Sequence, residues 1–246
     1  MSPTSGVRRL CALLVETEAL PTASDGCENV SLCNALAKYP GSMAAERFHL
    51  MSRIDRWVMM RAISWMRSLP SLELIDCLNL NVSGQSVGDR AFQRWAIDRL
   101  AEAGTQSCRR LCIEITETAV VTNLADAALF IEQLHAVGVR VALDDFGSGA
   151  SSFGYLKSLP VDSLKIDGQF IRDIVVDPFD EAAVRRFVDI AKLARMTTVA
   201  EYVDDPAVLE RINLIGLDFA QGFLIHTPEP IDLLLKATWE PSIANW

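Results

Sequence analysis

An α/β fold of the (β/α)8-barrel type is the fold class this sequence predicts, on three observations. From about residue 43 onward, segments of helical spacing alternate with β-branched and apolar runs, separated by short Gly, Pro and Asp turns, the pattern of repeated βα units. The chain has 246 residues, a length at which such barrels form one domain. No GxGxxG follows the first strand, so the open, doubly wound competitor lacks its dinucleotide fingerprint.

Residues 1–42 are the irregular part. "LCALLVE" (10–16) reads as a strand and "CENVSLC" (27–33) as a weaker one, with loop-like "PTASDG" between them and "AKYPGS" after. The connection is too short for a helical crossover, so it reads as a hairpin, which makes the first strand antiparallel to its neighbour. Residues 43–67 follow as a helix with Leu50, Ile54, Trp57, Val58 and Ile63 on one face. "IDCLNLNVS" (75–83) is a strand, with a helix near 89–103. "RLCIEIT" (110–116) is the next strand, and a helix capped by Asn123 and ended by Gly138 covers about 123–137. "VRVALDD" is a strand and "SSFGYLKSL" a short helix; "VDSLKID" is a strand before a helix near 181–195. "TTVAE" is a strand before a helix near 205–213; "GLDFAQG" is the last strand, and "IDLLLKATW" closes the chain helically. The chain reads as a single domain over 1–246, with 1–42 its divergent part.

Composition removes several function classes. Half the residues are hydrophobic and the mean hydropathy is +0.20, enough apolar material for a large core. A net charge of −9 offers no broad basic footprint for DNA, RNA or anionic lipid, although a local cation or bound metal can still admit a small anion. The start carries Arg8 and Arg9, but Glu16 and Glu18 interrupt its apolar run, too short for a secretory core or a membrane span. A cytoplasmic chain without membrane insertion is therefore expected. Six cysteines (11, 27, 33, 77, 108 and 112) form no CxxC pair, and three histidines are scattered, so any metal here needs oxygen ligands.

The informative polar residues stand at the C-terminal ends of the strands: Asn81, Glu114 with Glu117, Asp144 with Asp145, Lys165 with Asp167, Glu201, and Gln221 just past the last one. In a barrel these ends share one face, the face of the active site. Taken singly, such residues also serve as helix caps or solvated strand ends. Carboxylates crowded around one lysine are electrostatically costly unless hard cations sit among them, and an all-oxygen set suits Mg2+ or Mn2+. Adjacent Asp144 and Asp145 can face two ions that together activate water and neutralise a phosphoryl oxygen. Lys165 reads as a fixed positive charge near the attacking water or phosphate, and Glu201 as a general base or a further ligand. Gly147 and Gly149 make the following loop suited to close backbone approach to a ligand, or an ordinary βα turn.

In order and spacing, "NVS" (81–83), "EITE" (114–117), "DDFGSG" (144–149), "SSFGYLKSLPVDSLKID" (151–167), "AEYV" (200–203) and "QGF" (221–223) resemble the EAL-domain family of bacterial cyclic-di-GMP phosphodiesterases. The resemblance is dense over 43–230. It implies a TIM-like barrel with an antiparallel first strand and metal-dependent hydrolysis of cyclic-di-GMP to linear pGpG. It further implies that Asn81, Glu114 and Asp144 are metal ligands and Asp145 a ligand of a second metal. Lys165 would contact the reaction centre, Glu201 would be base or ligand with Gln221 near it, and Glu117 would steady the loop after the paired aspartates. A homodimer communicating through that loop is also implied.

The N-terminal quarter departs from the family pattern. The literal "EAL" at 18–20 is followed by Pro21, and Thr22 stands where the family has an arginine. Counted from the first strand, where Leu13 and Leu14 replace a Gln-Pro pair, Glu28 falls nearest the expected ligand position, with Leu32 in the arginine's place. Ala150 stands where an aromatic or leucine is usual, Tyr202 where glycine is common, and "LIHTP" where a Gly-Arg pair often occurs. Two readings follow: a working phosphodiesterase, with Glu28 or a neighbouring acid completing its metal shell, or a degenerate barrel acting as a cyclic-di-GMP receptor or a regulator that binds a protein partner.

Overall fold

The computed structural model describes residues 50–72, 76–149 and 153–225, and the backbone of three short strands at 8–9, 13–14 and 229–230. The order is β1 (Arg8–Arg9), β2 (Leu13–Leu14), α1 (Met51–Ser68), β3 (Leu78–Asn81), α2 (Gly84–Val87), α3 (Arg90–Ala103), α4 (Thr105–Cys108), β4 (Leu111–Thr116), α5 (Glu117–Thr122), α6 (Leu124–Val137) and β5 (Arg140–Phe146). A 3-10 turn over Phe153–Ser158 follows, then β6 (Ser163–Ile166), α7 (Gly168–Ile171), α8 (Pro178–Ala194), β7 (Thr197–Ala200), α9 (Pro206–Ile215), β8 (Phe219–Ala220) and β9 (Glu229–Pro230).

Seven strands form one sheet in the order β1-β8-β7-β6-β5-β4-β3, and β2 pairs separately with β9. From β3 to β8 each strand lies beside its sequence neighbour, so the winding never reverses. A doubly wound sheet needs such a reversal, and its absence among the described residues leaves a curled, singly wound α/β sheet of barrel type. Every described strand pair is parallel, which collects all strand C-termini on one rim.

The expected antiparallel first strand is corrected by this pairing. Arg8 and Arg9 run parallel to Phe219 and Ala220, and Leu13 and Leu14 run parallel to Glu229 and Pro230. The hairpin inference rested on a short connection to 27–33, which lies outside the described residues. The first strand instead takes its direction from the sheet edge on which it docks.

Local chemistry explains the helix boundaries. Asp177 and Asp205 cap α8 and α9 through their side chains, each followed by a proline at the first helical position. Asn123 caps α6, and Gly138 ends it in the left-handed conformation at φ 92°. In α1 the buried stripe is Met51, Asp55, Val58, Met59, Ala62, Ile63, Trp65 and Met66, displaced from the expected face. Leu50 is exposed and Ile54 and Trp57 are half-buried, because the wider stripe turns with the 3.6-residue period.

Leu78 and Leu80 on β3, Val82 just past it, Ile113 and Ile115 on β4, and Val141 and Leu143 on β5 join the helix side chains Phe92, Phe130, Ile131 and Leu134 in one buried cluster. Under the loop after β5, Phe187 meets Phe146, Phe153 and Phe170 at centroid distances of 5.0, 5.6 and 5.3 Å, all edge-on. Among the described residues, no helix is long and apolar enough to cross a membrane.

Candidate functional site

Lys165 is the centre of the rim. It points inward from β6, fully buried, and its Nζ lies 2.7 Å from Asp144 Oδ1, 2.9 Å from Glu114 Oε2 and 3.0 Å from Glu201 Oε1. The four residues come from β4, β5, β6 and the end of β7, and all four are buried. Three carboxylates against one ammonium leave a formal excess of two negative charges among these four residues. Burial lowers the affinity of Lys165 for its proton, but Asp144, Glu114 and Glu201 outweigh it and hold the ammonium well above its usual range.

The carboxylates carry the cost. Burial pushes Glu201 up to about 8, against the pull of Lys165 and with the help of Asp144 and Glu114. Burial likewise raises Glu114, opposed by Lys165 and by a hydrogen bond from the Asn79 amide. Asp144 Oδ1 is buried and has the Lys165 ammonium at 2.7 Å as its ion-pair partner.

Adjacent residues of a regular strand face opposite sides, so two neighbouring aspartates should not share a site. The register between β5 and β6 shifts between Leu143 and Phe146, and Asp145 takes the left-handed conformation at φ 54°. This irregularity breaks the alternation. Ligand oxygens of Asp144, Asp145 and Glu201 thereby lie within 4.8 Å of one another. An all-oxygen cluster with excess negative charge fits a hard divalent cation.

The loop after these aspartates is fixed from β4. Glu117, buried at the start of α5, accepts from Gly147 N at 2.9 Å and from Tyr155 Oη at 2.7 Å. Gly147 has φ 94°, and a Cβ there would stand 2.6 Å from the Phe170 ring. A Cβ on Gly149 would reach 3.4 Å from the Glu117 carboxylate. Both glycines thus belong to the packing of this turn.

Other expected site residues are placed as follows. Asn81 ends β3 directly opposite Glu114 and is half-buried. Gln221 follows β8, with its backbone bonded to Ala200 O at 2.8 Å and to Val203 N at 3.0 Å. Asp167 caps α7 by accepting from Gln169 N at 2.7 Å, so it serves the helix. Glu28 lies outside the described residues. Two contributors had not been singled out. Asn79 shares the face of Asn81, two residues earlier, and strand alternation could have found it. Asp55 on α1 accepts at Oδ2 from Ser83 N, Ser83 Oγ and Ser86 Oγ at 3.0, 2.7 and 2.6 Å, a long-range contact with no local sequence signal.

A singly wound parallel sheet whose C-terminal rim gathers buried acids around one lysine defines a barrel-type α/β protein with an acidic rim. The sequence model of the EAL domain matches residues 40–228, and the chain belongs to the EAL-domain family. It is 37% identical over 188 residues to a cyclic di-GMP phosphodiesterase, PdeB, of Shewanella oneidensis, covering 76% of this chain and 22% of that protein. It is 33% identical over 186 residues to the cyclic di-GMP phosphodiesterase PdeA of Borreliella burgdorferi, covering 76% and 28%. The chain therefore spans about a quarter of the length of these relatives. Among solved structures, the PaMucR phosphodiesterase in complex with c-di-GMP aligns with a TM-score of 0.71 at 32% identity, covering 78% of this chain and 83% of that one.

Proposed function

We propose that this chain is a cyclic-di-GMP phosphodiesterase domain, hydrolysing one phosphodiester bond of the cyclic dinucleotide to give linear pGpG. The observation that carries the reading is the convergence of Asp144, Asp145 and Glu201 oxygens within 4.8 Å beside the buried Lys165 ammonium. Similarity to phosphodiesterases of two organisms and to a c-di-GMP complex supports the substrate class.

Mg2+ or Mn2+ would be held by Asp144, Asp145 and Glu201, with Glu114 and Asn81 on the adjoining strands and Glu28 as a further acid from the N-terminal part. When bound, such an ion polarises a phosphoryl oxygen and makes water a stronger nucleophile at neutral pH. Lys165 holds Glu114, Asp144 and Glu201 at fixed spacing and presents positive charge toward the phosphate. Glu201, buried beside Lys165 Nζ at 3.0 Å, is the base that receives the proton of the attacking water as the water oxygen bonds to phosphorus. The bond from phosphorus to the 3′ oxygen breaks, and that oxygen takes up a proton as it leaves. Glu117 fixes Gly147, and with it the turn that presents Asp145.

The same reading includes closure of the sheet into a TIM-like barrel. It also includes a single domain over 1–246, a cytoplasmic location and a homodimer. A second reading, a cyclic-di-GMP receptor or protein-binding regulator, is favoured by Thr22 and Leu32 where the family carries a phosphate-binding arginine. Purified protein incubated with cyclic-di-GMP and Mn2+ or Mg2+, followed by chromatography, separates the two. Accumulation of pGpG supports the enzyme. Calorimetric binding with the dinucleotide left intact assigns the receptor, and no binding leaves the protein-partner version.

A further inference from the structure

Glu201 sits on a segment that is clamped from two sides, and the clamp on one side includes a side chain. On the far side, Val203 N donates to Gln221 O at 3.0 Å, Leu224 N donates to Val203 O at 3.2 Å, and Phe223 N donates to Asp204 Oδ1 at 2.7 Å. A Cβ on Gly222 would stand 2.3 Å from the Val203 backbone, so these two loops touch without intervening side chains. On the near side, toward β6, Tyr202 adds a side-chain contact to the backbone pairing of β7 with β6.

Tyr202 adopts φ 57°, a left-handed conformation that a bulky residue occupies only under compulsion. That turn throws its ring across to α7. The ring covers buried Gly168, where a Cβ would stand 2.2 Å from Tyr202 Cδ2 and 2.7 Å from Cγ. The Arg172 guanidinium lies over the ring, 4.2 Å from its centroid. Gly168 follows the end of β6 by a single residue, and β6 carries Lys165; Glu201 N donates to Ile166 O at 3.3 Å. The ring therefore joins the strand end bearing the lysine to the strand end bearing the glutamate.

We propose that Tyr202 is a positioning residue: wedged between Gly168 and Arg172, its ring sets the backbone of Glu201 so that this carboxylate converges with Asp144 and Asp145 on a divalent cation. The inference rests on the metal-dependent reading above and adds to it a residue that is not one of the acid ligands. Because the contact is ring against glycine and guanidinium, it depends on the aromatic face. Phenylalanine at 202 preserves it; glycine removes it while relieving the left-handed backbone.

The test compares wild type, Tyr202→Phe, Tyr202→Gly and Arg172→Ala for Mn2+ affinity by electron paramagnetic resonance of the free ion. Melting in EDTA and the kcat and KM for cyclic-di-GMP are read alongside. Tyr202→Gly is expected to fold, to bind Mn2+ about tenfold more weakly, and to lose kcat with KM kept within about twofold. Tyr202→Phe restores both, and Arg172→Ala falls between. Mn2+ affinity in Tyr202→Gly equal to that of the wild type overturns the proposal, as does an affinity loss that Tyr202→Phe shares in full. Wild-type protein that binds Mn2+ but leaves cyclic-di-GMP intact overturns the enzymatic reading alone, and the Mn2+ comparison still decides the role of Tyr202. Wild-type protein that binds no Mn2+ overturns both.

Discussion

Replacing Lys165 with methionine removes the charge at the centre of the rim and keeps most of the length of the side chain. The three carboxylates at 2.7, 2.9 and 3.0 Å then face one another in a buried site. Deleting one partner of a buried ion pair costs about 3–5 kcal/mol, because the remaining charge is left uncompensated. At about 2–4 °C per kcal/mol for a chain of this size, the metal-free variant should melt roughly 6 to 20 °C lower. The penalty also has a pH signature. Protonating Glu114 or Glu201, both already raised by burial, relieves the repulsion, so the deficit shrinks toward pH 6 and widens toward pH 9. Scanning calorimetry of both proteins in EDTA across that range measures it, and added Mn2+ should raise the melting point of the variant more than that of the wild type. A variant that melts with the wild type in EDTA, or a deficit that grows as pH falls, would show that Lys165 does not hold these acids.

Three further outcomes follow from the same structure. In metal-free wild type, the folded Glu201 carboxyl at about 8 lies above its ordinary 4.5, so the folded state holds the extra proton. Its contribution to stability is complete below about 4.5 and is lost as pH rises through about 8; urea midpoints in EDTA should therefore fall between pH 6 and pH 9, and a rising midpoint contradicts the assignment. Gly147→Ala places a Cβ 2.6 Å from the Phe170 ring at φ 94°. It should cost about 1–3 kcal/mol in urea unfolding and slow hydrolysis, and an unchanged midpoint would mean that the turn yields freely. Asp55→Ala removes the carboxylate oxygen shared by Ser83 N, Ser83 Oγ and Ser86 Oγ; denaturant titration should show a loss of about 1–3 kcal/mol, and none would mean that water replaces it.

Much of the fold was legible because its signals are local. The βα alternation and the caps at Asn123 and Gly138 are written in short-range periodicity and turn chemistry. The strand-end acids were equally legible, since placing them on one rim requires only that the strands be parallel. Asp167 shows the limit of that logic: it stands at a strand end like the others, yet caps α7. A carboxylate at that position serves either role, and only the direction of the following turn chooses. The direction of the first strand was misread for a related reason, since a two-residue strand is oriented by the edge it meets.

The sequence by itself determined the class of fold, the negative field and the set of oxygen donors, because hydrophobic period, charge and residue type are properties of the chain. Only the tertiary structure decided that one ammonium stands among three carboxylates, that a left-handed Asp145 at a register shift brings two neighbouring aspartates to one place, and that Tyr202 spans to Gly168. Those facts depend on strand register and on backbone torsions at single residues. Contacts across about 20 to 60 positions of sequence set them, and no local pattern encodes such contacts.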